Sequence, residues 1–119
     1  MKHTRSIARE YKRRGVSQQI ADGMSVRTWN VVDSVTAHTG ISLEQMQSKS
    51  RKRPIVIARQ IAMTLIYRFD VVSTSYIGEL FNRDHSTVTH SRQQISDLID
   101  VDNRTVTLMY DIYASIVEQ

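Results

Sequence analysis

Nine consecutive residues, Asn82-Arg83-Asp84-His85-Ser86-Thr87-Val88-Thr89-His90, constrain this chain more than any other part of it. An aspartate placed just before a helix is a good N-cap, because its carboxylate accepts from the unpaired backbone N–H groups of the first turn. Beyond it, Val88, Ser91/Arg92, Ile95 and Leu98/Ile99 recur at helical spacing, so one stripe can anchor the helix to a core. Arg83, His85, Ser86, Thr87 and His90 are then left at the tip, with the reach to touch base edges or phosphates. A helix with an anchored tail and a polar tip is what a helix-turn-helix presents to the major groove of DNA.

The preceding segment fits that arrangement. Ser73-Thr74-Ser75 offers hydroxyl caps, Ile77, Leu80 and Phe81 point inward from a short helix, and Asn82 and Arg83 form the turn. Upstream, Ser48-Lys49-Ser50-Arg51-Lys52-Arg53-Pro54 is a cationic loop ending at a proline suited to the first position of a helix. That helix is expected from about Pro54 to Tyr67, with Arg59 and Gln60 near its start.

The order of these blocks carries a resemblance. Ser48-Lys49-Ser50-Arg51-Lys52-Arg53, then Ala58-Arg59-Gln60-Ile61-Ala62-Met63, then Arg83-Asp84-His85-Ser86-Thr87-Val88 with His90 resemble the C-terminal DNA-binding domain of the bacterial replication initiator DnaA. The likeness is firm from about Ile41 to His90 and looser from Trp29 to Gln119. It implies that Arg51, within a loop that also carries Lys49 and Arg53, enters a minor groove. It implies that Arg59 and Gln60 contact the DNA from the next helix, and that Arg83, Asp84, His85, Ser86, Thr87 and His90 read the major groove. One departure stands out: where the family usually has two glycines between the aromatic and the arginine, this chain has only Asn82. A turn shorter by one residue can re-aim the following helix, and with it the preferred base sequence.

Composition agrees with a helical reading. Among 119 residues there are 1 proline and 4 glycines, and no run alternates cleanly, so a small all-α bundle containing the helix-turn-helix is expected. A chain of this size can bury about two-thirds of its unfolded surface in one domain. The net charge of +4 is modest; its distribution matters more. Lys2, Arg5, Arg9, Lys12, Arg13 and Arg14 crowd the start against Glu10 alone, whereas from Asp70 onward 8 acids face 3 bases. One face should be positive, the footprint of a polyanion partner.

Residues 1–28 read as a basic helical extension and 29–119 as the DNA-binding domain. Within the extension a helix is expected near Thr4–Arg14 and a shorter one over Ser17–Ala21, and Val16–Trp29 faintly resembles a second helix-turn-helix with one residue too few. Ser25 or Thr28 caps the next helix, which runs to His38 with Trp29, Val32, Val35 and Thr36 inward. A turn of helix at Leu43–Gln47 follows. The last helix starts near Asn103 with Val106, Met109/Tyr110, Tyr113 and Ile116/Val117 as its stripe.

Several chemistries are disfavoured. Asp84-His85-Ser86 names the members of a hydrolytic triad, but successive helical residues cannot converge on one point, and no enzymatic activity is expected. His85 and His90 lie roughly 140° apart around a helix, and metal pairs use i, i+4 spacing, so no metal site is expected. No Gly-Lys-Ser or Gly-Lys-Thr occurs, so no nucleotide cofactor is expected. With 0 cysteines and no apolar run of membrane length, disulfides and a spanning helix are not expected, and a cytoplasmic location is. The expected partner is double-stranded DNA, bound by a monomer, with the replication initiator or another replication protein as a further partner. A transcription factor at similar sites, or a protein-interaction module with incidental DNA binding, are the alternatives.

Overall fold

The computed structural model describes residues 24–118. The expected helices over Thr4–Arg14 and Ser17–Ala21, and the resemblance at Val16–Trp29 up to its last residues, lie outside that range. Within it the chain forms six helices and no strand: α1 (Val26–Thr39), α2 (Leu43–Gln47), α3 (Arg53–Phe69), α4 (Thr74–Leu80), α5 (His85–Val101) and α6 (Asn103–Val117).

Local chemistry sets most of the boundaries. Ser25 caps α1 by accepting from the Thr28 N–H, and Gly40 closes it in the left-handed region at φ 74°, its N–H donating to Thr36 O. The folded body therefore takes in residues ahead of Trp29, with Met24 and Thr28 buried. Ser42 and Gln45 form a reciprocal capping box on α2. The α3 helix runs from Arg53, one residue before Pro54, and extends to Phe69, where Asp70 turns extended. The Asp70 carboxylate accepts from the Ser25 hydroxyl and, at 2.6 Å, from the Thr28 hydroxyl, tying the end of α3 to the start of α1.

The core is organised around α3, which packs on α1, α2, α4 and α5 while α6 closes against α1 and α5. It is buried along more than one face, through Ile55, Ala58, Ile61, Ala62, Met63, Leu65 and Ile66. Trp29, Val32 and Val35 of α1 are buried as expected, with Thr36 half-buried. The α5 stripe also holds at Val88, Ser91 and Ile95.

The expected α6 stripe holds at Met109, Tyr113 and Ile116, which pack against the core, while the most deeply buried positions lie to one side of it. Thr105 and Ile112 are the buried residues, and Tyr110 and Val117 are exposed. The helix is apolar over more than half its circumference, so spacing alone admits two phases. Leu108, Met109, Tyr113 and Ile116 pack around Ile112 on the core.

Candidate nucleic-acid interface

The helix-turn-helix is α4, a tight turn at Phe81–Asp84, and α5. One left-handed residue makes the turn: Asn82 has φ 58°, a region that asparagine tolerates better than most residues. The Arg83 N–H donates to Gly78 O at 2.7 Å and the Asn82 N–H to Glu79 O at 3.2 Å. The returning chain lies directly on α4, and a Cβ at Gly78 would sit 2.3 Å from the Arg83 carbonyl oxygen. Glycine is needed there for close approach. The one-residue turn through Asn82 thus brings the chain back onto α4 at a position where only glycine leaves room.

The α5 tip is held by its own side chains. Asp84 Oδ1 accepts from the Ser86 hydroxyl at 2.8 Å and from the Thr87 N–H and hydroxyl, each at 2.9 Å. These bonds, led by Ser86 and aided by the nearby His85, pull the carboxyl down to about 2. Asp84 therefore occupies the positive end of α5 and gathers Ser86 and Thr87 into one cluster. His85, Ser86 and His90 are exposed and Thr87 half-buried, with Gln94 Nε2 3.4 Å from His90 Nε2.

The loop between α2 and α3 is built differently. Residues 48–52 have no regular structure, and Lys49, Arg51 and Lys52 are exposed. Serine hydroxyls provide its local bonds: Ser48 Oγ accepts from the Ser50 N–H and Ser50 Oγ from the Lys52 N–H, both at 3.3 Å. The rest come from elsewhere. Arg59 Nε donates to Met46 O at 2.5 Å, and its Nη2 to Ser48 O at 3.0 Å and Ser50 O at 3.2 Å. Arg83 Nη2 donates to the same Ser48 carbonyl at 2.7 Å, while Nη1 donates to Phe81 O at 2.9 Å and Asn82 O at 3.2 Å. Two amides complete the join between loop and turn: Gln47 Nε2 to Leu80 O at 2.7 Å and Asn82 Nδ2 to Gln47 O at 3.2 Å.

The sequence-derived site residues fall into three groups. Lys49, Arg51, Arg59 and Arg83 line one open cleft of about 410 Å³ with Ser50, Val56 and Asn82, and no acid lines it. Asp84, His85, Ser86, Thr87 and His90 follow directly on the turn at its edge. Arg53 lines another cleft, with His38, Pro54 and Asp102, and Gln60 is half-buried along α3. Arg59 departs most from a free helix-face arginine: it is only 6% exposed. Burial, and then the neighbouring Arg83 cation, push its guanidinium below the usual arginine range. Sequence reasoning missed Gln47, the role of Gly78 and the second bond of Asn82; the lone helical glycine four residues before Asn82 was the available signal.

Among the described residues no group of His, Asp and Glu is placed to hold a metal ion, and no helix is long and apolar enough to cross a membrane. A family model described as the bacterial dnaA protein helix-turn-helix matches residues 29–95, from α1 through the buried part of α5. Curated relatives agree. The chromosomal replication initiator protein DnaA of Desulfotalea psychrophila is 39% identical over 82 residues, 69% of this chain and 17% of that protein. The protein of the same name from Tropheryma whipplei strain Twist is 35% identical over 82 residues, again 69% and 17%. DnaA 1 of Chlamydia muridarum is 36% identical over 86 residues, 72% of this chain and 19% of that protein. The chain spans less than a fifth of the length of these relatives, so the likeness is to one segment of each. With the family model covering more than half of its length and the turn, tip and loop all in place, this chain belongs to the bacterial DnaA helix-turn-helix family.

Proposed function

We propose that the protein binds double-stranded DNA sequence-specifically at initiator-box-like sites, as a monomer, and acts in replication initiation or its control. One observation carries this reading: a cleft lined by four cations and no acid adjoins the tip of α5. Loop and turn are bonded to each other, so a duplex meeting one meets the other. The relatives, named as chromosomal replication initiators, support the biological setting.

Affinity comes first from phosphates. Lys49 and its cationic neighbours displace condensed counterions, which binds DNA without reading it. The end of α5 does not receive a phosphate as bare helix N-termini do, because Asp84 already occupies it. Reading falls to groups that reach base edges: His85, Ser86, Thr87 and His90 in the major groove, with Thr87 suited to a thymine methyl. Arg51 enters the adjoining minor groove, whose negative potential is greatest where A·T runs narrow it. Lys49, Arg53 and Gln60 lie along the backbone.

Fluorescence anisotropy of the full chain with an initiator-box duplex and a scrambled duplex tests this. The expected preference is at least about a hundredfold, since specific binding typically exceeds non-specific binding by about a thousandfold or more. With about five phosphates neutralised, log K falls against log[salt] with a slope of about −4 to −5. Equal binding to both duplexes would favour a protein-interaction module instead.

A further inference from the structure

The most buried cation of the interface donates to three backbone carbonyls. Arg59 lies almost wholly inside the protein, and its guanidinium collects the carbonyls of Met46, Ser48 and Ser50. These are alternate carbonyls of one stretch of chain. While they turn inward to Arg59, the side chains of Lys49 and Arg51 between and beyond them are exposed. Arg83 reaches the same Ser48 oxygen from the other side, with its second nitrogen on the turn that precedes α5. A single carbonyl thus joins an arginine of α3 to an arginine of the helix-turn-helix.

We infer that Arg59 and Arg83 are positioning residues, which fix the offset between the basic loop and the tip of α5 so that Arg51 and His85 engage adjoining grooves together. The inference rests on the DNA-binding reading above and assigns these two side chains a different part in it from direct contact. The loop cannot hold this shape alone: residues 48–52 contain no helix, and the bonds within them run through two serine hydroxyls. Lysine is no substitute at either position. It keeps the charge, but a single ammonium cannot reproduce a planar fork aimed at several carbonyls. The two like charges face one another across Ser48 O, so each depends on its carbonyls, and a phosphate settling in the cleft would strengthen the arrangement.

A double-mutant cycle separates positioning from contact. Arg59→Lys and Arg83→Lys are each measured on the full chain, alone and with Arg51→Ala, by anisotropy on an initiator-box duplex with an A·T-rich flank. Coupled residues give non-additive effects and independent ones add. Each lysine variant is expected to weaken binding by about tenfold alone and by less than about twofold in the Arg51→Ala background. Equal losses in both backgrounds, or no loss in either, overturn the inference. Thermal melting accompanies each variant, and if Arg59→Lys fails to fold, the exposed-side strut Arg83→Lys carries the cycle. Hydrogen exchange of the free protein tests the brace without DNA: the amides of residues 49–52 should exchange faster in both variants, with α1 and α6 unchanged. Unaltered exchange overturns the brace, whereas faster exchange in a protein that shows no box preference overturns the DNA-binding reading and leaves the brace standing.

Discussion

The tip of α5 and the loop at residues 48–52 both expose polar side chains, yet their shapes have opposite origins. The tip is local: Asp84, Ser86 and Thr87 lie within four residues and bond one another. The loop is held from outside, by Arg59, which follows it in α3, and by Arg83, which comes 35 residues after Ser48. A locally determined shape tolerates change elsewhere in the protein. A loop that borrows its donors can be lost through substitutions that never touch DNA, and conversely its exposed cations can be changed without disturbing the fold.

The largest effect should come from breaking the join between the two regions. Gly78→Ala forces a Cβ against the Arg83 carbonyl, and a backbone atom cannot rotate away. A stability loss of about 1–3 kcal/mol is expected from overpacking of this kind, read by thermal or urea unfolding, together with loss of box preference because α5 is re-aimed. Unchanged stability would mean the turn has slack. Next come the proposed readers. Arg51→Ala and His85→Ala should each cost about 1–3 kcal/mol on the preferred duplex and less on a random one, with stability within about 0.5 kcal/mol of wild type for exposed side chains. Equal losses on both duplexes would contradict base reading. Lys49→Ala should weaken binding evenly across sequences and reduce the salt slope by about 1; a change in sequence preference would move Lys49 from backbone contact to readout.

The same contrast explains what the sequence revealed. The α5 tip was legible because its cap, hydroxyls and apolar stripe are a contiguous pattern, and a local pattern forms a local structure. So were the bounds of α1 and α2, set by Ser25, Gly40 and the Ser42–Gln45 box. The brace was not legible. An arginine on a helix reads the same whether it faces solvent or turns under a loop, and only the packing of α3 against α2 decides that Arg59 is covered. Gly78 is similar, since its need arises from a carbonyl five residues ahead. The α6 stripe was legible only in part: Met109, Tyr113 and Ile116 do pack on the core, but apolar residues on more than one face leave spacing without a unique answer, and Ile112 is the residue most deeply covered.

The smallest effect tests most directly whether the tip is self-supporting. The Asp84 carboxyl is depressed to about 2 by Ser86, Thr87 and His85, below the unperturbed value of about 3.9. A depressed carboxyl contributes stability that is complete above the unfolded value and is lost as pH falls through the folded one. Asp84→Asn isolates that charge, because asparagine is itself a good N-cap but presents only a neutral acceptor to the two hydroxyls. The melting-temperature gap between wild type and Asp84→Asn should therefore be constant from neutral pH to about 4 and close between about 4 and 2. Asp70 and Asp102 are also depressed, but both are common to the two proteins and cancel in the difference. The loop supplies the control. No carboxylate is among its braces, so the ratio of protection factors between wild type and Arg59→Lys at residues 49–52 should not vary with pH while the protein stays folded. A gap between wild type and Asp84→Asn that persists to pH 2 would show that the ionised carboxylate does not hold Ser86 and Thr87, and the tip would then owe its shape, like the loop, to the rest of the molecule.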